Sequence, residues 1–217
     1  AGGRPLRPPP PGARARASAS AGGGAGPAAK TGVLFVCLGN ICRSPTAEAM
    51  FRDVLGRAGR QDEFFVDSCG TGGGNPSWYE GGINGWSYHE GEPADPRMAA
   101  AARKRDVVLT SRSRPLRPED FSRFDYIVGM EAKNRAAMEE ALEHWLGTGR
   151  EGMEAPAEEA HRRIRLMPEF CTRQENKGLR AVPDPYYGGP EGFDKVLDLL
   201  EDACSGLLAQ IDAERGA

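Results

Sequence analysis

Residues 33–46, Val-Leu-Phe-Val-Cys-Leu-Gly-Asn-Ile-Cys-Arg-Ser-Pro-Thr, restrict the possible folds of this chain more than any other stretch. The unbroken run from Val33 to Val36 has the β-branched and aromatic make-up of a buried strand. It stops at Cys37, and a short loop carrying Gly39 and Asn40 follows, with Arg43 six positions after the cysteine. Ser44 is expected to cap a helix whose first residue is Pro45, where a missing N–H costs nothing. Ala47, Met50, Phe51, Val54 and Leu55 continue at helical spacing. The sequence therefore reads strand, tight loop, helix N-terminus, with a thiol at one end of the loop and a guanidinium at the other.

That arrangement suits a phosphate. Backbone N–H groups of a short loop entering a helix converge on its centre, and the helix dipole adds positive potential there. Arg43 offers a planar fork matching two phosphate oxygens. The same field favours a thiolate over a thiol at Cys37, and a thiolate against a bound phosphoryl group is an in-line nucleophile. A second group must protonate the leaving oxygen. Asp184 is the candidate, in the stretch Val182-Pro183-Asp184-Pro185-Tyr186-Tyr187-Gly188-Gly189, where prolines on both sides stiffen the backbone that carries it. Asp-Pro is also an ordinary turn signal, so its pairing with the Cys37 loop carries the assignment.

Strands and helices alternate along the rest of the chain. Strands are expected at 32–37, about 63–68, 124–130 and, more weakly, 163–167. Helices are expected at 45–58, 97–104, 131–145 and 192–211, the last carrying Phe193, Val196, Leu197, Leu200, Leu207 and Leu208. Such alternation implies an α/β fold, a parallel sheet with helices on both faces, and a ligand at the carboxyl ends of the strands, where Cys37 stands.

Val-Cys-Leu-Gly-Asn-Ile-Cys-Arg-Ser-Pro at 36–45 and Asp-Pro-Tyr-Tyr-Gly at 184–188 together resemble the low-molecular-weight protein tyrosine phosphatases. Val66-Asp67-Ser68, the segment 91–97, and 119–127 also resemble family segments, in the family's order, so the likeness spans about 31–213. The resemblance implies a three-layer sandwich around a four-stranded parallel sheet and hydrolysis of phosphotyrosine in proteins, or of small aryl phosphates, through a phosphocysteine. It implies that Cys37, Arg43 and Asp184 are catalytic, and that Leu38, Gly39, Asn40, Ile41, Cys42 and Ser44 bind the phosphate. It implies that Tyr186 and Tyr187 form one aromatic pocket wall and Tyr88, or else Trp86, the opposite one. Asn40 would brace the loop, the Ser44 hydroxyl would steady the thiolate, and Ser68 would support both. Cys42 would close a reversible disulfide onto Cys37. No metal or cofactor is expected, because the loop and Arg43 carry the compensating charge. Two departures stand out: family members often have Met-Asp where this chain has Met130-Glu131, and animal relatives have a histidine near Ser111. Arsenate reductases share the scaffold but need two further relay cysteines, and Cys69, Cys171 and Cys204 form no close pair. Arginine phosphatases carry a threonine at the place of Ile41. A catalytically silent phosphate-binding module is the remaining alternative.

Composition fits one such domain at 31–217, with surface insertions expected near 72–87 and 147–160; in the first, Trp78, Tyr79 and Trp86 are read as reaching the pocket rim. Residues 1–30 differ. They hold Arg4, Arg7, Arg14, Arg16 and Lys30, no acidic residue, and mostly Ala, Gly, Pro and Ser, which is expected to be a disordered leader with the character of a plastid transit peptide. Otherwise the expected location is the cytoplasm. Without those five, the 28 basic residues fall to 23 against 31 acidic ones, about −8, the wrong sign for a nucleic-acid binder. No apolar stretch approaches the roughly 20 residues that span a bilayer. Five cysteines without metal-ligand spacing or a secretory signal read as reduced thiols. A monomer is expected.

Overall fold

Four strands build one parallel sheet: β1 (Thr31–Cys37), β2 (Phe64–Gly70), β3 (Tyr126–Gly129) and β4 (Ile164–Leu166), in the order β2-β1-β3-β4. They come from a computed structural model, which describes residues 30–186 and 189–216. The residue 1–30 leader, apart from Lys30, and Tyr187 lie outside the described residues. Among the described residues six α-helices flank the sheet: α1 (Arg43–Arg57), α2 (Pro96–Arg103), α3 (Asp120–Arg123), α4 (Ala132–Thr148), α5 (Ala157–Arg163) and α6 (Pro190–Arg215).

Alternate residues of β1 face opposite layers, as the period of a strand requires. Val33, Phe35 and Cys37 pack with α1, α2 and α6, whereas Leu34 and Val36 pack with α3, α4 and α5. The three-layer expectation therefore holds. Cys37 pairs in register with Gly70, and Val36 with Gly129. The chain leaves β1 toward one edge through α1 and β2, then crosses back to β3 on the other side of β1. That reversal opens a crevice at the carboxyl ends of β1 and β3, the place where open α/β sheets take their ligands.

The start of α1 differs from expectation. The helix begins at Arg43, with Cys42 at the cap position and no side-chain cap. The Thr46 amide already donates to the Cys42 carbonyl (3.3 Å), so the ladder starts two residues early. Ser44 lies inside the first turn, and its hydroxyl faces the Cys37 sulfur instead of an orphan amide. By contrast, Asp95 caps α2 with its side chain, accepting from the amides of Arg97 (2.8 Å) and Met98 (3.4 Å). Arg97 also holds the Asp95 carboxyl below its ordinary range, mainly through the side-chain hydrogen bond.

The 72–87 segment is a surface insertion only in part. Trp78 is buried edge-on against Trp145 of α4, with ring centroids 5.9 Å apart. Trp145 Nε1 donates to the Tyr79 carbonyl (2.8 Å), and the Tyr79 hydroxyl donates to Glu140 (2.7 Å). Trp78 thus belongs to the core, whereas Ile83 and Trp86 remain exposed. The first two residues of the 147–160 stretch finish α4, and Gly149 caps it at φ 61, a conformation that glycine adopts without strain. The stretch then forms most of α5, whose Ala160 is buried.

Candidate active site

The loop after β1 is held by its carbonyls. Leu38 C=O accepts from the Gly73 amide (2.9 Å), Gly39 C=O from the Ser113 hydroxyl (3.0 Å), and Ile41 C=O from the Asp95 amide (2.6 Å). In a trans peptide the N–H points opposite to the C=O, so carbonyls tied outward to the scaffold aim the neighbouring amides at the loop's centre. Asn40 sits at φ 53, in the left-handed region that asparagine tolerates, and this residue tightens the turn. Gly70 lets β2 pass close behind: a Cβ there would lie 2.8 Å from the Leu38 carbonyl oxygen.

Cys37 lies at the bottom of this cradle and is buried. Its sulfur accepts from the Asn40 amide (3.3 Å) and the Ser44 hydroxyl (3.1 Å), two donors that favour a negative sulfur. Asn40 Nδ2 donates to both Ser44 Oγ and Ser68 Oγ, each at 2.9 Å, and Asn40 Oδ1 accepts from the Arg114 amide (2.9 Å). Asn40, Ser44 and Ser68 are therefore brought together on one side of the sulfur. The polar support expected near Ser111 is supplied by Ser113 and the Arg114 backbone.

Arg43 is 2% exposed, and three hydrogen bonds hold its guanidinium. One terminal nitrogen donates to Glu131 Oε1 (2.8 Å) and the Val182 carbonyl (3.2 Å), and the other to Asp184 Oδ2 (2.9 Å). Burial opposes its charge, but nearby Cys37, Glu131 and Asp184 outweigh that and raise its affinity for the proton. The loop carrying Asp184 is anchored by Val182, whose amide donates to the Met130 carbonyl at the end of β3 (2.8 Å). The longer carboxylate arm at Met130-Glu131 still reaches the arginine.

Cys37, Leu38, Gly39, Ile41, Cys42, Arg43, Asp184 and Tyr186 all line one cavity of about 130 Å³. Two lining residues were not anticipated, Gly73 and His89. Tyr88 does not line it; the opposite side is His89, whose Nδ1 is 2.8 Å from Glu92 Oε2. Tyr88 turns outward and meets Trp86 with ring centroids 4.3 Å apart and planes tilted by 60°, so neither aromatic takes the place expected of it. The reason is local: Gly39 passes so close that a Cβ there would touch the imidazole at 2.9 Å, which leaves His89 the inner position. Glu131, which orients Arg43, was visible in the sequence only as an unusual neighbour of Met130. Cys42 is a free thiol beside Cys37, and burial, reinforced by Cys37, pushes its ionisation far above that of a free cysteine. Among the described residues no group of three His, Cys, Asp or Glu side chains is placed to hold a metal.

The model of the family described as low molecular weight phosphotyrosine protein phosphatase matches residues 32–80 and 82–217. The chain belongs to that family. A Synechocystis relative is 37% identical over 182 residues, which cover 84% of this chain and 97% of the relative. The low molecular weight protein-tyrosine-phosphatase of Streptomyces coelicolor is 36% identical over 82% of this chain and 92% of its own. Among solved structures, a protein tyrosine phosphatase from Entamoeba histolytica with Hepes in its active site superposes with a TM-score of 0.69 at 36% identity, covering 86% of this chain and 99% of that one. YfkJ from Bacillus subtilis gives 0.64 at 30%, covering 87% and 99%. As a family member the chain is a cysteine-dependent phosphatase.

Proposed function

We propose that the chain removes phosphate from phosphotyrosine in proteins, and from small aryl phosphates, with Cys37 as nucleophile, Arg43 as phosphate clamp and Asp184 as proton donor. One observation supports this above the others: groups up to 147 positions apart in the chain, Cys37, Arg43 and Asp184, face a single small cavity. The Cys37 sulfur attacks phosphorus; the S–P bond forms as the P–O(aryl) bond breaks, and the Asp184 proton goes to the departing oxygen. Loop amides and Arg43 hold the three equatorial oxygens as charge moves onto them. In the second half Asp184, now a carboxylate, takes a proton from water as the water oxygen bonds to phosphorus, and the S–P bond breaks to return the thiolate and release phosphate.

Because Arg43 already touches Asp184, an arriving phosphate exchanges with that carboxylate for the guanidinium's fork, and this keeps the acid at the mouth of the pocket. The thiol is sunk below the rim made by exposed Leu38 and Tyr186. A flat, long phosphotyrosine reaches it, and a phosphoserine does not. Matched phosphotyrosine and phosphoserine peptides test the reading: phosphate release is expected from the first alone, and equal rates would refute it.

Two narrower proposals accompany it. Cys42, protonated and adjacent, would trap an oxidised Cys37 as a disulfide, attacking the sulfenic acid and releasing water. Peroxide treatment should then leave a bond reducible by dithiothreitol that Cys42→Ser abolishes. Residues 1–30 would direct the chain to a plastid, and a fluorescent fusion of that segment that stays in the cytosol of a plant cell would overturn this. Among the described residues no helix is long and apolar enough to cross a membrane. A monomer is the proposed assembly.

A further inference from the structure

Beside the catalytic cavity lies a larger groove of about 490 Å³, and Leu38, Arg43 and Asp184 line both. One wall is the 72–87 insertion, through Asn75 and Trp78, and the other is the start of α4, through Lys133 and Asn134. The insertion wall is held in place from behind. Trp78 packs edge-on against Trp145, and buried Asn75 donates from Nδ2 to the carbonyls of Asn84 and Trp86 while its Oδ1 accepts from the Ser77 amide (3.2 Å).

The carboxylates of this groove already have donors: Arg43 bonds Glu131 and Asp184, and the Tyr79 hydroxyl bonds Glu140. Two nitrogen donors have no acceptor. Among the described residues Lys133 makes no ion pair or hydrogen bond. Asn134 is 2% exposed, and its Oδ1 accepts from the amides of Met130 and Glu131 (3.2 Å each), which fixes the end of the side chain that is oxygen. Its Nδ2 is bonded to nothing among the described residues. No fully enclosed side-chain nitrogen or oxygen among them lacks a partner, so this nitrogen opens onto the groove that Asn134 lines. A largely desolvated amide donor without an acceptor is costly, and a ligand that brings an acceptor recovers that cost.

We propose that the groove seats the polypeptide next to the substrate's phosphotyrosine, and that Lys133 and Asn134 select an acidic residue there. The inference rests on the phosphotyrosine reading of the catalytic cavity and narrows it to a class of protein substrate. Consecutive Cα atoms stand about 3.8 Å apart, and the two spaces share three residues, so a chain whose phosphotyrosine fills the cavity carries its neighbours over the groove. A carboxylate there meets both open donors, Lys133 through its charge and Asn134 through a hydrogen bond. A lysine there meets an ammonium of its own sign, and the carboxylates that could receive it are already bonded. A small aryl phosphate has no part that reaches the groove.

The test is kcat/KM of the full chain on three phosphotyrosine peptides that differ only in the residues on either side of the phosphotyrosine: both Glu, both Ala or both Lys. p-Nitrophenyl phosphate serves as the substrate without a flank. The Glu peptide should exceed the Ala peptide about fivefold, the gain of one well-placed ion pair, and the Lys peptide should be the poorest. Lys133→Glu should reverse that order and leave p-nitrophenyl phosphate turnover unchanged. Asn134→Asp keeps the oxygen that caps α4 and replaces the open –NH2 with an acceptor. It should lower the Glu:Ala ratio, a readout from which any general loss of activity cancels. Lys104→Glu makes the same change of charge at the far end of α2, outside the groove, and should keep the wild-type order. Equal kcat/KM for the three peptides, a preference that survives Lys133→Glu, or one lost as fully in Lys104→Glu overturns the proposal. Turnover of p-nitrophenyl phosphate with none of the peptides hydrolysed would instead overturn the phosphotyrosine reading beneath it.

Discussion

Cys37→Ser is expected to release no phosphate from p-nitrophenyl phosphate above the uncatalysed rate, in a chain that still folds. The two donors at the sulfur, the Asn40 amide and the Ser44 hydroxyl, are placed to stabilise an anion, and a serine hydroxyl forms one far less readily than a thiol. The same donors then stabilise a neutral hydroxyl that has no nearby base: Asp184, the carboxylate of the cavity, is bonded to Arg43. The substitution removes little volume from the cluster beneath the loop, so unfolding temperature should move by only a few degrees. Phosphate binding is carried by the amides and Arg43, so inorganic phosphate should raise the melting temperature of the variant as it does that of the wild type. Retained turnover, with phosphate still bound, would remove the sulfur from the mechanism and leave the fold intact.

The parts of this molecule legible in the sequence were those in which one chemical pattern fixes one structure. The apolar run 33–36 has no amphipathic alternative, and β1 forms there. The helix expected at 97–104 forms as α2, capped by the Asp95 carboxylate on the amides of Arg97 and Met98. The start of α1 was misplaced because Ser44 is a good cap by type, and only the nearby sulfur diverts its hydroxyl. The end of α6 ran past the last apolar position, Ile211, because ion pairs hold it: Asp212 with Arg60 (2.7 Å) and Arg215 with Glu63 (3.0 Å). Apolar periodicity carries no information about such pairs.

The site was legible in proportion to how local its parts are. Cys37 through Ser44 lie on one loop, and sequence order is spatial order there. Asp184 was found because a proton donor was required and its loop was stiff. Residues whose role depends on what lies across from them were hidden. His89 and Tyr88 are adjacent, and which of them faces the cavity is decided by the closeness of Gly39. Trp78 reads as a rim aromatic until Trp145 is seen beneath it. Glu48 is an ordinary helical glutamate in the sequence, and only the position of Ser68 on the neighbouring strand reveals the hydrogen bond that lets it be buried.

Asp184→Asn should lower kcat by about 10²–10⁴, the range for a lost general acid, and the loss should depend on the leaving group. Departing p-nitrophenolate is stable without a proton, whereas the phenolate of phosphotyrosine, with an ordinary pKa of about 10, is not. The deficit is therefore expected near the lower end for p-nitrophenyl phosphate and near the upper end for phenyl phosphate. Binding should move the other way. Asp184 Oδ2 occupies one terminal nitrogen of Arg43 at 2.9 Å and places a negative charge beside the phosphate seat. A neutral asparagine competes less for the guanidinium and repels a dianion less, so phosphate or vanadate should bind the variant several-fold more tightly. A lower kcat with tighter anion binding separates a proton donor from a wall residue, whose loss would weaken binding and affect both substrates alike. Equal losses for the two esters would mean that the proton comes from elsewhere, and His89, across the cavity, would be the next group to substitute.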